Sequence, residues 1–214
     1  IKGVSQNVSF KKGFYNKVKV FEDAINKKLI ENVFDEIKND LVLWFGVTGQ
    51  KRAWVNQIDG YAMIINKLAK DYSHIHILFD GFTSFDNKYE ANEEDVSVIQ
   101  QILNSINVDN FSYEILVGKD YKTKAVKGMS CDAFVANAGS GCLVPLRFCR
   151  KPGVLHSNTK LKTFDDEYGD DVYIIDNEFV RDIPSKNGSI DLISYDISPE
   201  LILNGLDKIL AGKR

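Results

Sequence analysis

The sequence predicts an α/β fold, a Rossmann-like parallel sheet flanked by helices, and three observations carry that expectation. Short apolar, β-prone runs recur along the chain, the first being Val42-Leu43-Trp44-Phe45-Gly46-Val47. Segments with apolar residues at helical spacing separate them, as with Ile58, Tyr61, Ala62, Ile65 and Leu68. Each interval is long enough to hold a crossover helix, so successive strands are expected to run parallel, with helices on both faces of the sheet.

In chain order, Val42 to Val47 is the first strand and Trp54 to Lys70 the helix after it. His74 to Phe79 is the second strand, and Asp80 to Asn92 is a loop rich in Asp, Asn and Gly. Val96 to Ile106 is the next helix, with Glu93-Glu94-Asp95 complementing its N-terminal dipole. Tyr113 to Val117 is the third strand, ending at Gly118-Lys119-Asp120, and Tyr121 to Lys127 is a short helix. Ala133 to Ala136 is the fourth strand, followed by a Gly139-Ser140-Gly141 turn and a helix from Cys142 to Cys149. Pro152 to His156 and Val172 to Ile175 are the fifth and sixth strands. Ser198 as N-cap and Pro199 at the first helical position open a last helix that runs to Leu210. Residues 40–214 thus form one Rossmann-like domain. Residues 1–39 stand apart as an N-terminal extension or linker, with a basic stretch from Lys11 to Lys19 and a helix from Phe21 to Lys38.

The 214 residues are 44% hydrophobic and 27% charged, ordinary globular usage that sets disorder aside. A net charge of −3 creates no field for polyanions, so no nucleic acid is expected as a partner. The three cysteines, Cys131, Cys142 and Cys149, are odd in number and lack a CxxC spacing, which points to a reducing, cytoplasmic setting. No apolar run reaches the ~20 residues of a membrane span. Any membrane association is therefore expected to be peripheral. The chain opens at Ile1 without a secretory pattern, and is expected to be a piece of a longer protein. No metal is expected, because Asp165-Asp166-Glu167 and Asp170-Asp171 read as solvated acids without convergent ligand spacing.

Ligands of open parallel sheets sit outside the carboxyl ends of the strands. In the first loop there, Thr48, Gly49, Gln50, Lys51 and Arg52 combine glycine, hydroxyl, amide and two cations ahead of a helix. Exposed backbone N–H groups would attract an anion, Arg52 bidentately and Lys51 as a point charge. A solvated Lys-Arg pair is an equal alternative on composition. In the second loop, Asn137, Gly139, Ser140 and Gly141 form a candidate diphosphate cradle, where glycine allows close backbone approach. A tight turn without ligand competes with that reading, since neither GxGxxG nor the P-loop pattern is present. Gly118, Lys119 and His156 are candidates to meet a nucleoside. His156 and Trp54 also fit the role of packed residues. No catalytic residue is assigned.

One order of motifs stands out: Gly46-Val47-Thr48-Gly49-Gln50-Lys51-Arg52-Ala53-Trp54, then a strand ending HILFDG, then LVGK, then CDAFVANAGSGCLVPLRFCRKPGVLHSN and ISPELILNGLDKIL. It resembles the C-terminal, donor-binding half of GT-B fold glycosyltransferases, in a heptosyltransferase-like layout, over residues 40–211. Ser140-Gly141 correspond to that family's Thr/Ser-Gly pair. Gly139 stands where heptosyltransferases carry Asp, and Val144 where they carry His, so neither family residue carries over. The resemblance implies a nucleotide-sugar donor, a glycan or other acceptor, no cofactor and no metal, in bacterial polysaccharide biosynthesis. The N-terminal half, which supplies the general base in inverting members, would lie outside this chain. No glutamate pair of the retaining type is present. A sugar-nucleotide epimerase of the same architecture and a non-catalytic Rossmann-like binding module are the alternatives. An NAD enzyme is disfavoured, because the first strand-helix turn lacks the dinucleotide fingerprint.

Overall fold

The computed structural model describes residues 20, 22–28, 41–49, 51–85, 92–160, 171–184 and 192–211. Among these, β1 (Leu41–Gly46), β2 (Ile75–Asp80), β3 (Phe111–Ile115), β4 (Ala133–Asn137), β5 (Gly153–His156) and β6 (Val172–Ile174) form one sheet. Its order is β3-β2-β1-β4-β5-β6, and every pair is parallel. This is the α/β, Rossmann-like arrangement expected from the sequence. Helical residues 22–28 are α1, followed by α2 (Gln57–Leu68), α3 (Glu93–Asn104), α4 (Tyr121–Gly128) and α5 (Pro199–Leu210). Two further strands, β7 (Arg181–Ile183) and β8 (Ser194–Asp196), pair antiparallel apart from the main sheet.

β1 is buried along its whole length because both of its faces are covered. Leu41, Leu43 and Phe45 point into one core with residues of α2, α3 and α5. Val42 and Trp44 point into the other, with Ala125 of α4 and with Val144, Leu146 and Phe148. The period-2 alternation of a strand thus serves two cores at once. Winding from β1 to β3 lays α2 and α3 on the first face. Winding from β4 to β6 lays its first connection on the second, as right-handed crossovers require when direction reverses.

Several boundaries differ from the sequence expectation. α2 starts at Gln57 rather than Trp54, because Trp54 bridges to Tyr195 and its indole Nε1 donates to Ile197 O at 2.9 Å. α3 starts at Glu93, capped by Asn92, whose side chain accepts from Asp95 N at 2.9 Å. The expected helix at Cys142–Cys149 is instead a 3₁₀ turn, Ser140–Cys142, and a π-helix, Leu143–Phe148. Pro145, which has no N–H to complete an i→i−4 bond, lies in the first turn of the π-helix. The bond at the end spans five residues, from Cys149 N to Val144 O at 3.0 Å.

In the N-terminal region, residues 20 and 22–28 are described, and side chains among them bond to the segment after β4. Glu22 pairs with Arg147 Nε at 2.8 Å, Asp23 with Arg150, and Asn26 Nδ2 donates to Phe148 O at 2.7 Å. These bonds hold α1 against the π-helix. The rest of the expected Phe21–Lys38 helix, the basic stretch, and the Asp165-Asp166-Glu167 run lie outside the described residues, as does Asp170. No described helix is long and apolar enough to cross a membrane.

A buried ion pair organises the carboxyl end of β2. Lys124 is fully buried, 2.5 Å from Asp80 Oδ1, and donates to Gly81 O, Phe82 O and Thr83 Oγ1 at 3.0, 2.9 and 2.8 Å. Burial pushes the Asp80 carboxyl above its ordinary range, and the Lys124 ammonium offsets only part of that. Removing one partner strands the other charge. Lys124→Met is therefore expected to destabilise the fold by about 3–5 kcal/mol, and Asp80→Asn in that background to recover part of the loss. Chemical denaturation of the two variants checks both expectations.

Candidate functional site

β1 and β4 are neighbours, yet the chain leaves their carboxyl ends in opposite directions, toward α2 and toward the π-helix. Such a reversal of strand order opens the crevice where ligands of open α/β sheets bind. Residues 47–49 and 51–56 border it on one side and residues 138–142 on the other.

Arg52 and Gly139 meet across this crevice. Arg52 has φ 48° and Gly139 has φ 104°, both in the left-handed region that L side chains rarely adopt. A Cβ on Gly139 would stand 3.7 Å from Arg52 Nη2 and 3.9 Å from Nη1. The guanidinium therefore lies over the turn where no side chain intervenes. Gly141 is glycine for a different reason: its Cβ would fall 2.1 Å from Asn137 Oδ1. Asn137 ends β4, is 9% exposed, and makes no side-chain hydrogen bond among the described residues. Ser140 and Lys51 are exposed at the rim. Gln50 lies outside the described residues.

Three described backbone N–H groups of the first loop, those of Thr48, Gly49 and Lys51, already have partners. Thr48 N donates to Gln57 Oε1 at 3.2 Å, and Gln57 Nε2 returns a bond to Thr48 O at 2.9 Å. Gly49 N donates to Asp95 Oδ1 at 2.7 Å, and Lys51 N faces Thr48 Oγ1 at 3.4 Å. Asp95 also accepts from Phe82 N at 2.7 Å, so one carboxylate ties the loops after β1 and β2 together. The loop is thus a braced platform for Lys51 and Arg52, and its charge resides in side chains. The second loop differs too, since a six-residue π-helix follows it in place of an α-helix.

The nucleoside candidates do not come together. Gly118 and Lys119 follow β3 and His156 ends β5, four strand spacings apart, or ~19 Å. Gly118 N donates to Phe82 O at 2.8 Å, Ser84 Oγ to Gly118 O at 2.7 Å, and Ser84 N to Lys119 O at 3.2 Å. Those residues lace the β2 and β3 loops together. His156 is 2% exposed, with its ring 5.7 Å from that of Trp54 and Nδ1 2.7 Å from the Tyr195 hydroxyl. It is a packed residue, held away from solvent.

Gln57, Asp95 and Tyr195 are the site residues that sequence reasoning missed. Asp95 was legible only as part of an acidic first turn. Tyr195 sits in a three-residue strand, too short to show a period. Cys142 and Cys149 are buried, and burial pushes their thiols up to about 11 and about 12, away from the reactive thiolate. Among the described residues, no group of three or more His, Cys, Asp or Glu side chains converges as a metal site would require.

Solved structures show where this arrangement recurs. The chain is similar to the E. coli ADP-heptose lps heptosyltransferase II, with 14% identity and a TM-score of 0.57, over 96% of this chain and 54% of that one. It is also similar to the glycosyl transferase family 9 structure from Veillonella parvula DSM 2008, with 10% identity and a TM-score of 0.55, over 92% of this chain and 52% of that one. The chain spans about half the length of each. Its sequence matches no protein-family model and no curated protein. At such identities the likeness is one of fold, and the fold is glycosyltransferase-like.

Burial holds His156 neutral, lowering its pKa to about 3 from an ordinary value of 6.5. Between those values the unfolded chain binds a proton that the folded chain does not. Stability is therefore complete above pH 6.5 and falls as pH drops toward 3, by up to about 1.4 kcal/mol per pH unit. His156→Asn, which can still face Tyr195 with an amide, is expected to flatten that part of the curve in urea unfolding from pH 7 to pH 4.

Proposed function

We propose that the chain is the donor-binding, C-terminal half of a GT-B glycosyltransferase, acting on a nucleotide-activated sugar without a metal or cofactor. The observation that carries this reading is the meeting of Arg52 with the Gly139 turn at the β1/β4 crevice. Lys51 and Arg52 from one lip, and Asn137, Ser140 and the open backbone of Gly139–Gly141 from the other, would hold the donor diphosphate. Charge grows on that diphosphate as the glycosidic bond breaks. A fixed guanidinium then stabilises the transition state more than the ground state. Arg52 is suited to this because its left-handed backbone and braced loop hold its position before the ligand arrives. An N-terminal half would complete the cleft and supply the general base and the acceptor surface, in a cytoplasmic enzyme with at most peripheral membrane contact.

Titration calorimetry with a panel of nucleoside diphosphates tests the reading. One member is expected to bind, and Arg52→Ala to weaken it by about 1–3 kcal/mol, the value of charge-assisted hydrogen bonds. Unchanged affinity in Arg52→Ala would move the anion away from this crevice. Absence of binding by the whole panel would favour a Rossmann-like module without a nucleotide ligand.

A further inference from the structure

We infer that His74 and His76, gathered on the Ser112 hydroxyl, form an open chelating site for a divalent transition-metal ion of the zinc class. The site lies at the amino ends of β2 and β3, the opposite end of the strands from the crevice, and it does not depend on the donor reading. The segment His74-Ile75-His76 leads into β2, and residues two apart in an extended chain face the same side. His76 and Ser112 are partners in register on neighbouring strands. His74 Nε2 and His76 Nδ1 each lie 2.8 Å from Ser112 Oγ. One hydroxyl thus draws two imidazoles to a single point, and their inner nitrogens lie within twice that distance of each other.

The proton inventory of the cluster is what opens it to a cation. A serine hydroxyl has one proton, so it donates to one imidazole and accepts from the other. One inner nitrogen therefore offers a lone pair and the other an N–H. A neutral imidazole can carry its proton on either ring nitrogen. Moving that proton to the outer nitrogen leaves two inner lone pairs facing each other, with the oxygen of Ser112 between them. Neighbouring ligands of an ion with bonds of ~2.0–2.1 Å stand about 3.0–3.4 Å apart. The N···O separations of 2.8 Å are already close to such an edge, and rotation of the two rings brings the nitrogens together. Imidazole nitrogen favours zinc, copper and nickel ions, whereas magnesium and calcium take oxygen ligands. Among the described residues no three His, Cys, Asp or Glu side chains converge, so this is a two-imidazole chelate completed by hydroxyl and water, and its ion is exchangeable. His74, His76 and Ser112 are all half-buried, which leaves the cluster accessible from solution. Glu114, two residues on from Ser112, pairs with Lys127 at 2.7 Å and so offsets the lysine charge that acts on His76.

The chain has three histidines, which makes the test direct. Imidazole ¹⁵N NMR of the untagged chain is followed during titration with Zn²⁺. His74 Nε2 and His76 Nδ1 are expected to shift together, while the buried His156 stays in place as an internal reference. Ser112→Ala is expected to weaken the ion about 10–100-fold, the usual cost of losing a group that orients metal-binding imidazoles. His74→Asn and His76→Asn each leave one imidazole and should abolish the paired shift. An ion bound by the folded chain stabilises it, so Zn²⁺ should raise the thermal midpoint of the wild type and leave that of the His74→Asn, His76→Asn double variant in place. Mg²⁺ should move neither ring. Movement of one ring alone, no movement at millimolar Zn²⁺, an equal response to Mg²⁺, undiminished affinity in Ser112→Ala, or an equal rise in midpoint in the double variant would each overturn the site.

Discussion

The carboxyl ends of β1 and β4 lie side by side while their connections depart to opposite faces. That constraint comes from chain handedness. Strands wound outward from β1 in one direction and from β4 in the other must send their helices to opposite sides of the sheet. Every feature of the candidate site takes its meaning from this opening. The guanidinium of Arg52 comes close to Gly139, which can accept that approach because it carries no side chain.

The lips of the crevice are stiffened by polar contacts placed behind them. Asp95 binds the amides of Gly49 and Phe82, Gln57 exchanges bonds with Thr48, and Lys124 gathers Asp80 and the backbone of Gly81 and Phe82. Buried polar groups of this kind are tolerated only where their partners are supplied, and here the partners are the loops themselves. The same logic draws three of the first loop's backbone N–H groups, those of Thr48, Gly49 and Lys51, into bonds with Gln57, Asp95 and Thr48.

The second lip is of another character. A π-helix is an uncommon continuation of a strand-to-helix turn, often found near functional sites. In this chain it contains Pro145 and is braced from outside by α1 through Glu22, Asp23 and Asn26. The N-terminal segment therefore contributes to the packing behind the turn, which its sequence separation of more than a hundred residues conceals.

What the sequence alone determined was the strand-helix alternation, the parallel sheet and the two loops worth examining. Those features are local: apolar runs mark buried strands, periodic apolar residues mark helices, and clustered glycine and cations mark loops where backbone and charge are exposed. Tertiary structure alone decided which polar groups face each other. Nothing in the triplet of lysines at 122, 124 and 127 singles out Lys124 as the buried one, and no spacing links Tyr195 to His156 or Asp95 to Gly49. It also separated His156 from Gly118 and Lys119, because strand order in a sheet is not strand order in the chain. Backbone propensity is written residue by residue, but burial and the partner of a buried charge are properties of the packed whole.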